Sequence, residues 1–92
     1  MTRKKPQKER FPVGRLAISK QGRDKDRVYV IIGSDADHVY AADGEKWTAA
    51  APKKKNRKHL QPVNRMAQAD TETGVPDNET IIQAIMAFAG RD

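Results

Sequence analysis

Apolar and polar residues alternate most regularly over residues 13–32. Across 15–19, Leu16 and Ile18 share one face while Arg15, Ala17 and Ser19 share the other. Across 27–33, Val28, Val30 and Ile32 share a face, with Tyr29 and Ile31 opposite. Such alternation with β-branched residues is the strand pattern, and the link Gln21-Gly22-Arg23-Asp24-Lys25-Asp26 between the runs predicts a β-hairpin. A polar turn over 34–37 precedes a third strand over 38–42, with Val39 and Ala41 on one face. Asp43-Gly44 is a two-residue turn signal. It leads to a weaker fourth strand over 46–50 centred on Trp47; alanines 49–51 suit a helix equally well, but Pro52 stops anything long. Residues 53–58 read as a lysine loop, and 59–63 as a fifth strand that Pro62 places at a sheet edge.

The alternation then ends. Residues 64–76 read as a linker, with room for one helical turn at Met66, Ala67 and Ala69. Over 77–90 the period becomes helical: Ile81, Ile82, Ile85, Met86, Phe88 and Ala89 form one apolar face. Asp77 or Asn78 can cap this helix, Glu79 suits its positive end, and Gly90 stops it. A helix this short is marginal alone in water, so the face needs a partner: the chain's own sheet or another protein. Residues 1–12 carry Arg3, Lys4, Lys5, Lys8 and Arg10, two prolines and almost no apolar side chains. They are expected to form a disordered basic arm, ordered on binding or simply solvated.

Ninety-two residues, 37% hydrophobic and 5% aromatic, allow one domain with a small core, which suits a small β structure better than a layered enzyme fold. No apolar run approaches a membrane span, and without cysteine there is no disulfide or thiolate metal site. The chain is therefore expected to be cytoplasmic, with no membrane partner. Net charge is +6, and it is segregated: residues 1–27 carry +7, 28–45 carry −4, 46–65 carry +7 and 66–92 carry −4. Segregated charge predicts one electrostatically attractive side, of a kind that suits nucleic acid. His38 and His59 are the only histidines, and neither stands with a nucleophile. Asp35, Asp37 and Asp43 fit turns rather than a metal-ligand spacing, and there is no Gly-rich phosphate loop. The expectation is a protein without catalysis, cofactor, metal or small-molecule substrate.

A strand, then Gly22-Arg23-Asp24-Lys25, a basic residue and a second strand resembles the KOW motif of ribosomal proteins and transcription elongation factors. Ala42-Asp43-Gly44 followed by Pro52-Lys53-Lys54-Lys55-Asn56-Arg57-Lys58-His59-Leu60 narrows the match. Together they resemble the bacterial KOW-domain RNA-binding proteins, relatives of KOW-containing large-subunit ribosomal proteins of archaea and eukaryotes. The resemblance spans roughly residues 13–63. One position departs from it: the family usually has Gly after Asp-Lys, and Asp26 stands here. Asp accepts left-handed backbone better than most residues but less well than Gly. The resemblance implies an SH3-like β-barrel, RNA as ligand and a ribosome-associated role in translation. The expected architecture is thus mainly β: a basic arm over 1–12, a barrel over 13–63, a linker over 64–76 and a helix over 77–90.

The candidate RNA-binding residues are Arg15, Lys20, Gly22, Arg23, Lys25, Arg27, Lys53, Lys54, Lys55, Asn56, Arg57, Lys58 and His59. The lysine loop puts five cations in six residues, a concentration that a phosphate backbone relieves by releasing counterions. Asn56 and His59 can bond base edges, and His59 can stack on a base. Gly22 lets the turn approach a ribose-phosphate chain, while Asp24 is expected to bond backbone N–H groups of the turn. Tyr29 either stacks on a base or packs on the helix or arm; Trp47 reads as core bulk rather than a stacking platform. The partner expected is structured RNA, ribosomal RNA above all, with ribosomal proteins nearby. The alternative is a protein–protein module of the transcription or translation machinery, docking through Ile81, Ile85 and Phe88.

Overall fold

The computed structural model describes residues 10–89. Residues 1–9, most of the expected basic arm, lie outside the described residues. Five antiparallel strands form one sheet: β1 (Arg15–Ser19), β2 (Val28–Ser34), β3 (His38–Ala42), β4 (Lys53–Asn56) and β5 (Leu60–Met66). Their order is β4-β3-β2-β1-β5, so β4 and β5 are the edges. One helix, α1 (Asn78–Ala89), follows. The protein is mainly β with a single C-terminal helix.

Both faces of the sheet are buried. On one, Ala17, Tyr29, Ile31, Val39, Ala41 and Leu60 pack beneath Phe11, with Trp47 at the rim. On the other, Leu16, Val30, Ala42 and Ala67 pack against Ile81 of α1, with Ile85 and Phe88 partly buried there. This explains β2, where Val28 to Ile32 are apolar without a break: a strand covered on both sides has no polar face. The face of Arg15, Ala17 and Ser19 is accordingly not a solvent face. Phe11 also moves the start of the folded unit: it is 2% exposed, so the core begins inside the segment expected to be arm.

The helix packs on its own sheet. Ile81 is fully buried, and Ile85 and Phe88 join the same cluster, so of the two partners expected for this face it is the chain's own sheet that covers much of it. Asp77 is the cap: its Oδ1 accepts the Thr80 backbone N–H at 2.8 Å, which also holds its carboxyl below the usual range. Asn78 does something else, accepting the Ala49 backbone N–H at 2.8 Å and tying α1 to the β3–β4 connection. Gly44, at φ 87°, lies under the helix; a Cβ there would sit 2.6 Å from Ile82 Cγ1.

Two expected elements change. Residues 46–50 are not a strand but part of an irregular connection between β3 and β4, and Asp43-Gly44 does not close a two-residue hairpin. The lysine segment is not a loop: Lys53–Asn56 is β4, paired with β3 through Val39↔Lys55 and Ala41↔Lys53. Lysine is poorly suited to central strands but well suited to an edge, where its charge discourages pairing with another chain. The fifth strand runs on to Met66, so no helical turn forms at Met66.

The connection between the two edges bends the sheet. Laid flat, β4 and β5 would lie about 19 Å apart across four strand spacings. Only a single 3-10 turn, Arg57–His59, joins them. Fully extended, that link reaches about 14 Å, and a 3-10 turn is much shorter. The sheet therefore curls around the Tyr29 cluster, helped by register shifts between Ile31 and Gly33 and between Arg15 and Ala17. Among the described residues no ladder joins β4 to β5.

Candidate nucleic-acid interface

The tip of the β1–β2 hairpin is closed by Asp26 N–H donating to Ser19 O at 2.7 Å and Ser19 N–H donating to Arg27 O at 2.9 Å. Within it, Lys25 N–H reaches Gly22 O and Arg27 N–H reaches Asp24 O. Gly22 is left-handed at φ 90°, and so is Asp26 at φ 74°, the one non-glycine residue with positive φ among the described residues. The position where the resembled family usually has Gly thus keeps the geometry that favours Gly. Lys20, Arg23, Lys25 and Arg27 are exposed around this turn.

Asp24 organises the tip, and not through backbone N–H groups. Its carboxylate accepts the Tyr29 hydroxyl at 2.7 Å, the Ser19 hydroxyl at 2.9 Å and Lys55 Nζ at 3.0 Å. Lys53 Nζ stands 3.5 Å away. Ser19 is fully buried and Lys55 is 9% exposed, so this is a nearly closed polar cluster between the tip and β4. Burial pushes the Asp24 carboxyl up, but the hydrogen bonds from Tyr29, Lys55 and Ser19 outweigh it and hold the group well below the usual carboxylate range. Burial, then the bond to Asp24, pushes the Tyr29 phenol above its usual range. Tyr29 is consequently a core residue with a bonded hydroxyl, packed in one cluster with Phe11 of the expected arm rather than with the helix, and 1% exposed, which leaves no open face for a base.

Strand alternation divides the lysines. Lys53 and Lys55 turn toward Asp24, whereas Lys54 lies on the other face and is exposed. Lys55 is therefore removed from the set of cations a ligand could reach. Asn56 is also committed: its Oδ1 accepts the Lys58 backbone N–H at 2.9 Å and caps the 3-10 turn. Arg57 Nε donates to Asp35 O at 2.9 Å and its guanidinium lies 5.6 Å from the Phe11 ring. Lys58 is exposed; His59 is half-buried, and its backbone oxygen accepts Lys20 N–H at 2.8 Å.

Arg15 does not join the tip. It sits opposite Met66 at the far end of β1, and its Nε is buried with no hydrogen-bond partner among the described residues. Nor are acidic and basic segments wholly apart. The β2–β3 turn holds Asp35, whose Oδ1 accepts the His38 and Asp37 backbone N–H groups at 2.7 and 3.0 Å and whose carboxyl is lowered by them. That turn lies directly against Arg57.

What the fold does bring together is a cleft of about 310 Å³ lined by Arg23, Arg27, Lys46, Trp47 and Lys53, together with Tyr29 and Asp24. Lys46 and Lys53 place their ammonium groups 5.7 and 5.3 Å from the centre of the Trp47 ring. The Trp47 backbone is anchored: its main-chain N–H donates to Asp43 Oδ1 at 2.9 Å, and its carbonyl accepts the Asp43 and Gly44 backbone N–H groups at 2.8 and 3.0 Å. Among the described residues no carboxylate pairs with Arg23, Arg27 or Lys46. Lys46 and Trp47 were missing from the candidates above, although a cation beside an aromatic in a basic segment is the signal that marks them.

Compared with known proteins, the chain matches no family model, and no curated protein sequence matches it. Among the described residues no helix is long and apolar enough to cross a membrane.

Proposed function

We propose that this is a non-catalytic RNA-binding protein built on a small SH3-like barrel of KOW type, cytoplasmic and associated with the ribosome through ribosomal RNA. The curled five-stranded sheet, with its edges drawn together by a short 3-10 turn, supports the barrel reading. The left-handed backbone at Asp26 supports the KOW reading of the hairpin. The observation that carries the function is the meeting of Arg23 and Arg27 from the tip with Lys46 and Lys53 from the β3–β4 region. Two cations from the tip and two from the β3–β4 region face one cleft whose single carboxylate, Asp24, is already bonded to Lys55 and lies 3.5 Å from Lys53. Phosphates are the ligand such an arrangement favours, because each contact releases counterions as well as making a charge-assisted bond.

The mechanism is a preformed basic surface. Asp24 and Lys55 set the shape of the tip; Arg23, Arg27, Lys46 and Lys53 grip phosphates, with Lys20, Lys25, Lys54 and Lys58 adding attraction at longer range. "RNA" and "ribosome" rest on the resemblance, and the charge geometry by itself supports nucleic acid. Sedimentation of the tagged protein from lysate through sucrose tests the proposal. It should travel with large ribosomal subunits at low salt and leave them at high salt or after RNase. Migration with small complexes under every condition would count against it.

A further inference from the structure

We propose that the cleft beside Trp47 is a subsite for one unpaired nucleotide of RNA, with its base stacked on the indole and its flanking phosphates held by Arg23, Arg27 and Lys46. The inference rests on the RNA-binding reading above and narrows it from phosphate grip to recognition of single-stranded RNA.

Three observations converge on it. The cleft holds about 310 Å³, at the small end of ligand sites, a size that suits one nucleotide. The indole is half-buried and rigid: Asp43 and Gly44 anchor its backbone, and it packs against the Tyr29 cluster. A platform fixed before binding loses little freedom when a base arrives. Lastly, the ring is approached by two lysine ammonium groups at 5.3 and 5.7 Å, on long flexible stems. A base has a π-face that can take their place on the ring, and the displaced ammonium groups then meet the phosphates on either side.

A paired base cannot reach such a ring, because its faces are covered by its neighbours in the helix. Aromatic stacking is therefore a device for loops, bulges and single strands. It is tolerant of base identity, so the subsite distinguishes unpaired from paired RNA more than one sequence from another.

Trp47 is the only tryptophan in the chain, which makes its emission a reporter of this one site. The full-length protein would be titrated at low salt with a short unstructured RNA, an abasic chain of equal length and charge, and a duplex RNA, with anisotropy of labelled RNA read alongside. Single-stranded RNA should quench Trp47, while the abasic chain and the duplex should bind without comparable quenching. Trp47→Leu should weaken single-stranded binding roughly five- to hundredfold and leave duplex binding within about twofold. Trp47→Phe, which keeps a stacking face and the core packing, should retain most of the single-stranded affinity. Equal quenching by the abasic chain would overturn the subsite, as would parallel losses for both RNAs in a folded Trp47→Leu variant. Salt-dependent duplex binding without Trp47 quenching by any RNA would remove the subsite and leave the basic surface standing. No binding of any RNA would remove both.

Discussion

The two basic segments of this protein look alike in sequence and behave differently in the fold. The tip, residues 20–27, is a true turn whose cations all face solvent. The lysine segment, residues 53–58, is an edge strand followed by a 3-10 turn, and alternation sends Lys55 into the closed site around Asp24 and Lys54 outward, with Lys53 on the Asp24 side but open to the cleft. A run of charge on a turn is a surface; the same run on a strand is half surface and half interior. The two segments also depend on each other, because Asp24 of the tip is held by Lys55 of the strand.

The largest effect should come from breaking that link. Asp24→Ala leaves Lys55, the Ser19 hydroxyl and the Tyr29 hydroxyl without their shared acceptor in a nearly closed site. A loss of about 3 kcal/mol in urea denaturation is expected, at the low end for a buried pair because Asp24 retains some exposure. Adding Lys55→Met should restore a large part of it, since an apolar replacement for both partners leaves no buried charge. A loss below about 1 kcal/mol in the single variant would mean that the link is ornamental.

Next in size is the separation of the two segments in binding. Arg23→Glu with Arg27→Glu should lower RNA affinity on the order of a hundredfold at low salt with little change in melting temperature. Lys54→Glu, a single outward-facing lysine, should cost several-fold. If the two variants weakened binding equally, the tip would hold no special place in the interface.

The pH dependence follows from Asp24. Its carboxyl is lowered in the folded protein relative to the ordinary value of 3.8, so the folded state favours the ionised form. That contribution is complete above the unfolded value and is lost as pH falls below about 3.8 toward the lower folded value. Acid unfolding monitored by circular dichroism should therefore be shallower in Asp24→Asn than in the native protein over that window. Parallel curves would show that the carboxylate does not hold the tip.

How much of this was legible in the sequence depended on whether periodicity or pairing decided the element. β1 and β3 match their alternating segments, and α1 matches its helical spacing, because burial alone set those patterns. β4 was invisible to that reasoning: Lys53 to Lys55 have no apolar member, and what makes them a strand is the free edge of β3 together with a carboxylate twenty-nine positions earlier on the tip, at Asp24. Trp47 was placed on a strand because it is aromatic, yet its position is set by backbone bonds to Asp43 and Gly44 in a long connection. Phe11 was hidden by its charged neighbours, although an isolated aromatic before Pro12 is a fair sign of an anchor. The site suffered in the same way. The tip cations were readable one by one, but the role of Lys55 and the inclusion of Lys46 depend on which segments meet.

The smallest effect sharpens the geometry of the tip itself. Asp26→Gly should stabilise the protein by about 0.5–1 kcal/mol, because glycine adopts positive φ without the Cβ contact that an L-residue suffers. Greater freedom of the unfolded chain offsets part of the gain. Asp26→Val should destabilise by at least as much. Equal stability for all three proteins would mean that the left-handed turn is not maintained in solution.

The measurement that tests the central claim most directly is the salt dependence of RNA binding. With four phosphate contacts, log Kd against log salt should rise with a slope of about 2.8 to 3.6, equivalent to roughly a 50- to 150-fold loss of affinity between 50 and 200 mM salt. Arg23→Gln with Arg27→Gln should reduce that slope by about 1.4 to 1.8. A slope near zero, or one unaltered by removing both tip arginines, would contradict a phosphate-gripping surface built on the hairpin tip.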